Sequence, residues 1–114
     1  MSNLINLDQF RARHALAAAF VKKNSDEGDS LSGFPSLIIN NGLIATIAFS
    51  VDKGGQHERI AKALAQFLGE RGVIQSSDAT SLRNALCNSD SSTLRNATRE
   101  ALAFLSYLKR FHRS

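Results

Sequence analysis

Hydrophobic and polar positions alternate along this chain at helical spacing almost everywhere. Leu7, Phe10, His14, Ala17 and Val21 fall on one face, which predicts an amphipathic helix to about Lys23. Asn6 or Asp8 can cap it, since a short polar side chain satisfies the free N–H groups of a first helical turn. Ile60, Ala61, Leu64, Ala65, Phe67 and Leu68 form a second stripe, predicting a helix over about Gln56–Arg71 that stops at Gly72. Ser76, Ser77 and Asp78 precede a shorter one to about Asn88, with Ala79, Leu82, Ala85, Leu86 and Cys87 facing inward. A polar turn over Ser89–Ser92, around Asp90, caps a last helix to about His112. Its inner face is Leu94, Ala97, Ala101, Leu105, Leu108 and Phe111, with Phe104 beside them.

Two stretches break this rhythm. Asn24–Phe34 is rich in Ser, Asp and Gly, and reads as a mobile loop with little to bury. Its Asp26, Glu27 and Asp29 lack the fixed geometry of a cation site, so a solvated loop is the expectation. The other is Pro35–Val51, PSLIINNGLIATIAFSV, apolar at both a 2-residue and a 3.6-residue period. A segment apolar all round belongs inside the fold, so it is expected to be the central buried element. Two branched runs about Asn41-Gly42 signal a hairpin. A helix opened by Pro35 competes with it, and no third strand is evident to support a hairpin. At about 17 residues interrupted by Asn40, Asn41 and Gly42, the segment falls short of a membrane span. Asp52-Lys53-Gly54-Gly55 ends it, because glycine tolerates the left-handed backbone of helix termini.

The same segment carries a motif. Pro35, Leu37, Ile38, Asn41, Gly42, Leu43, Thr46, Ala48, Phe49 and Lys53 resemble the signature of the small α-helical subunit family of type III-B CRISPR (Cmr) RNA-guided effector complexes. A second block, Thr98, Glu100, Ala101 and Leu102 followed by Tyr107-Leu108-Lys109-Arg110-Phe111, is similar to that family's last helix. The resemblance covers these two segments well and the first and third helices loosely. Asn24–Phe34 departs from it, since the family commonly continues helical there. It implies that Pro35–Val51 is helical, giving an all-α, single-domain bundle of about five helices over residues 1–114, around a buried central helix. It also implies a non-catalytic subunit, present in several copies beside larger effector subunits, that lines the groove holding guide and target RNA.

Charge adds a direction to that picture. The net charge is +4 over 114 residues, and it is not spread evenly. Residues 1–90 hold nine Lys or Arg and nine Asp or Glu, whereas residues 91–114 hold Arg95, Arg99, Lys109, Arg110 and Arg113 against Glu100 alone. At 100° per residue, those five cations fall within an arc of roughly 100° on the last helix. Such a stripe is either the ordinary solvent face of a helix with cations favoured near its C-terminus or a surface for a polyanion. With Lys53, these are the candidate nucleic-acid contacts. Lys53, Lys109 and Arg110 fall on positions the resemblance supports; Arg95, Arg99 and Arg113 rest on helical geometry.

Little else in the chain suggests chemistry. His14, His57 and His112 are widely separated and the sole cysteine is isolated, so no metal-ligand spacing exists. His57 reads as a surface histidine and Cys87 as a buried core thiol. No nucleophile has an evident base and orienting partner, and no glycine-rich phosphate cradle is present. Neither an enzyme nor a cofactor is expected. RNP, GXXG and zinc-knuckle motifs are absent. One cysteine and no leader-like segment suit a reducing cytoplasm. Two competing functions remain: a helical DNA-binding regulator with Arg83 and Asn84 as readers, and a protein-interaction module whose charge serves solubility.

Overall fold

A computed structural model describes residues 25–112. The expected helix ending at Lys23, and Arg113, lie outside the described residues. Among the described residues five helices follow in order: α1 (Ser25–Asn41), α2 (Leu43–Lys53), α3 (Gly55–Glu70), α4 (Ala79–Cys87) and α5 (Ser91–His112). The hairpin alternative for Pro35–Val51 is thereby excluded, and the fold is all-α.

The central helix is α3, which packs against all four others. Its buried residues are Ile60, Ala61, Leu64, Ala65, Phe67 and Leu68. Glu58, Lys62, Gln66 and Glu70, spaced by four, form the narrow polar strip that stays exposed. The Phe67 ring stacks on Phe104 of α5 at 4.6 Å between centroids. Aromatic pairs of this kind add about 0.5–1.5 kcal/mol beyond the area they bury.

Pro35–Val51 is not the wrapped core element its composition suggests. Gly42, at φ 89° and ψ 159°, interrupts it, and the two halves belong to α1 and α2. Ile39 is 71% exposed and Phe49 47%. Within α2 the buried residues are Leu43, Thr46, Ile47 and Ser50. Thr46 Oγ1 donates to the Gly42 carbonyl and Ser50 Oγ to the Thr46 carbonyl, both at 2.8 Å. Hydroxyls partnered within their own helix can be buried without the penalty of an unmade bond. Their small size lets α2 seat closely against α3 and α4 while bulkier apolar neighbours turn outward.

The expected loop over Asn24–Phe34 is also overturned. From Ser25 the chain is helical, and Leu31 and Phe34 are 3% and 0% exposed. With Ile38, they repeat at i, i+3, i+7 and bury one face of α1 against α5 and α3. That burial offsets the poor helix propensity of Ser32, Gly33, Pro35 and Ser36 between them. Pro35 therefore sits well inside α1 rather than in its first turn.

The remaining boundaries follow local chemistry. Gly54, at φ 71° and ψ −161°, separates α2 from α3. Asp78 caps α4: its carboxylate accepts from the Ser81 N–H at 2.8 Å, and Ser81 Oγ accepts from the Asp78 N–H at 3.0 Å. This reciprocal pairing satisfies two donors at once. Ser76 Oγ donates to the Ala65 carbonyl at 2.8 Å, tying the α3–α4 connection back onto α3. Cys87, at the end of α4, is exposed rather than buried. Its apolar neighbours Leu82 and Leu86 point inward, and position 87 lies about 100° round the helix from Leu86.

Candidate nucleic-acid interface

The cationic stripe rides on α5, whose opposite face is locked to α1 and α3 by Ala97, Ala101, Phe104, Leu105 and Leu108. Asp90 starts the helix by accepting from the Thr93 N–H at 2.7 Å. Hydrogen bonds from Thr93 hold its carboxyl below the ordinary value, and Arg95 contributes in the same direction. Arg95, Arg99 and Arg110 are exposed and Lys109 is half-buried. The Arg110 guanidinium lies 5.3 Å from the Tyr107 ring centroid, a favourable cation–π arrangement. Arg99 Nη2 donates to Asn96 Oδ1 at 3.0 Å.

Glu100, the acid among these cations, turns the other way. It is 5% exposed and faces Arg71 at the end of α3, with 3.9 Å between Oε1 and Arg71 Nε. Its charge is directed into the bundle and leaves the outer edge of α5 positive.

Lys53 is not part of this edge. It ends α2, which packs on α1, α3 and α4, and its Nζ lies 5.8 Å from the Phe49 ring centroid. His57 completes a separate cluster there, edge-on to Phe49 at 5.5 Å and 6.2 Å from the buried Phe34 ring. It is half-buried rather than a free surface histidine. Burial, and then Lys53, lower its pKa from the ordinary 6.5. Among the described residues no three His, Cys, Asp or Glu side chains gather as a metal site would need.

Sequence spacing alone missed a groove beside the stripe. Val73, from the α3–α4 connection, faces Ser92, Thr93, Arg95, Asn96 and Arg99 across a space of about 540 Å³. Ser92, Arg95, Asn96 and Arg99 repeat at i, i+3, i+4, i+7, the signature of a single helical face. That signal is visible in the sequence once polar residues are counted with the charged ones. The candidate DNA readers Arg83 and Asn84 lie on the 9-residue α4, where Arg83 Nε donates to Asn84 Oδ1 at 3.4 Å.

The fold and edge define a small all-helical protein with one cationic flank. Residues 7–114 match the family model CRISPR-associated protein (Cas_Cmr5), and the chain belongs to that Cmr5 family. It is similar to the crystal structure of a CRISPR-associated Cmr5 family protein from Thermus thermophilus, at 26% identity and a TM-score of 0.81, covering 96% of each chain. No curated protein sequence matches. The two motif blocks therefore identified the family correctly. Among the described residues, no helix is long and apolar enough to cross a membrane.

Proposed function

We propose that this chain is the non-catalytic small subunit of a type III-B CRISPR RNA-guided interference complex in the cytoplasm. Several copies stack along the complex beside larger effector subunits, and their cationic edges stabilise guide and target RNA through the phosphate backbone. Base pairing reads the sequence, so the subunit needs only charge and shape, as in other guided systems. The observation that carries this is the edge of α5: Arg95 and Arg99 face solvent while Glu100, between them and the C-terminal cations, is buried. Arg95, Arg99, Lys109, Arg110 and Arg113 supply this contact, and Lys53 a separate one at the far end of α2. Exposure of the single thiol, Cys87, also fits a reducing compartment.

The test is to change Arg95, Arg99 and Lys109 together to Ala and reconstitute the complex. Target-RNA binding should fall at moderate salt, and its salt dependence should flatten by about 0.7 for each single-strand phosphate no longer neutralised. The circular dichroism spectrum and melting of the isolated subunit should be preserved. Normal binding by the assembled variant would mean that the edge is merely solvated.

A further inference from the structure

The cations of α5 are not one uniform strip. Arg95 and Arg99 are separated from Lys109 and Arg110 by about 15 Å of helix, where Leu102, Ala103 and Ser106 occupy the corresponding positions. The two clusters also differ in kind. Around Arg95 and Arg99 the surface is a groove, and its other lining groups are neutral: the Ser92 and Thr93 side chains, the Asn96 amide and the Val73 methyls.

Hydrogen-bonding rules fix how Asn96 is presented. A guanidinium only donates, so the Asn96 atom facing Arg99 at 3.0 Å must be the oxygen. Its amide nitrogen, with two N–H donors, remains for a ligand. Asp90 draws on Thr93, so Ser92 is the hydroxyl available to pair with that amide. Arg95 and Arg99 lie one helical turn apart, about 6 Å along the axis, a spacing comparable to successive phosphates of a nucleic-acid strand. Two positive groups with a neutral amide donor between them, and the Ser92 hydroxyl one turn from that amide on the same face, match a repeating ligand whose charges alternate with a hydroxyl. An acidic protein surface would need only the arginines.

Resting on the proposed backbone-contact function, we infer that this groove reads the ribose of an RNA strand. Arg95 and Arg99 hold successive phosphates, the Asn96 amide donates to the intervening 2′-oxygen, the 2′-hydroxyl pairs with Ser92 Oγ, and Val73 packs against the sugar. The 2′-hydroxyl, both donor and acceptor, is the group that separates RNA from DNA. The edge is therefore selective for the type of strand while remaining indifferent to its sequence.

The experiment measures binding of the full-length chain at low salt to a labelled single-stranded RNA, the same sequence as DNA, and the same RNA with 2′-O-methyl groups. A net hydrogen bond of ordinary strength predicts RNA preferred over DNA, and over the methylated RNA, by about fivefold to tenfold. Asn96→Ala should lower RNA affinity more than DNA affinity and bring the ratio close to unity. Removing the Arg95 guanidinium alone would weaken both strands together while leaving the Arg99–Asn96 hydrogen bond in place, so the ratio isolates the ribose contribution. Equal wild-type affinity for RNA and DNA, with both weakened by the triple Arg95/Arg99/Lys109→Ala variant, would overturn ribose reading and leave the charge-contact function standing. An RNA preference that survives both Asn96→Ala and Ser92→Ala would move the reader elsewhere and overturn the inference. Binding of a polyglutamate peptide as tightly as RNA would overturn it too. Failure of the wild type to bind either strand would overturn it together with the function on which it rests.

Discussion

Gly42 offers a test in which two architectures predict opposite signs. Gly42→Ala adds a methyl into open space, with no atom within 4 Å of the new Cβ beyond its chain neighbours. Packing therefore contributes nothing, and the backbone alone decides. At φ 89° and ψ 159° the residue occupies a region essentially closed to L-residues with side chains, at a cost of about 1–3 kcal/mol. Restricting the unfolded chain returns about 0.4–1 kcal/mol. The net expectation is a loss of about 1–2 kcal/mol. If residues 35–51 formed one uninterrupted helix, the same change would instead stabilise by about 1 kcal/mol, the propensity gap between Ala and Gly. Urea titration followed by circular dichroism resolves the difference, provided the denaturant slope is unchanged. In a domain of this size the loss corresponds to a melting point lower by about 4–10 °C. A variant that melts higher than wild type would refute the break at Gly42 and restore a single rod.

Other expectations follow from local geometry. Gly33→Ala, in α1 with open space around it, should stabilise by about 1 kcal/mol. Gly69→Ala, whose Cβ would land on the Ser76 carbonyl oxygen, should destabilise by about 1–3 kcal/mol in the same titration. Phe104→Ala, which removes the partner of Phe67 from the fully packed centre, should cost about 3–5 kcal/mol. The depressed pKa of His57 means that the unfolded chain takes up a proton before the folded one does. Stability is then fully present above pH 6.5 and declines as pH falls through that value toward the folded pKa. His57→Phe should flatten that part of the stability profile. Asp78 is likewise held below its ordinary 3.8 by its hydrogen bonds with Ser81, so its cap contributes above that pH and is lost in stronger acid; Asp78→Asn should reduce this acid sensitivity.

Periodicity read α3, α4 and α5 with boundaries within a residue or two, because their buried faces are aliphatic or aromatic and their starts or stops carry Gly or Asp. It failed where polarity and burial part company. Thr46 and Ser50 are buried because each hydroxyl is bonded to a carbonyl of its own region, a pairing no hydropathy pattern reveals. Leu31 and Phe34 did have helical spacing with Ile38, but Ser, Asp and Gly around them masked it. Cys87 shows the converse, an apolar residue one step off the buried face of a short helix. Of the candidate contacts, Arg95, Arg99, Lys109 and Arg110 do share the outer side of α5. Lys53 does not join them, because two residues in one motif block need not share a surface. The groove opposite Val73 depends on how the α3–α4 connection returns to α5, which is a tertiary fact.

The elbow between α1 and α2 ties the bearing of two oily surface side chains, Ile39 and Phe49, to one achiral residue. Each is anchored to a different rod, so the angle at residue 42 determines whether they point the same way or apart. Any chiral L-amino acid there strains the joint, and relief of that strain would swing one relative to the other. The Asn-Gly-Leu step thus sets the relative direction of two helices, and of one exposed apolar group on each, through a single backbone conformation.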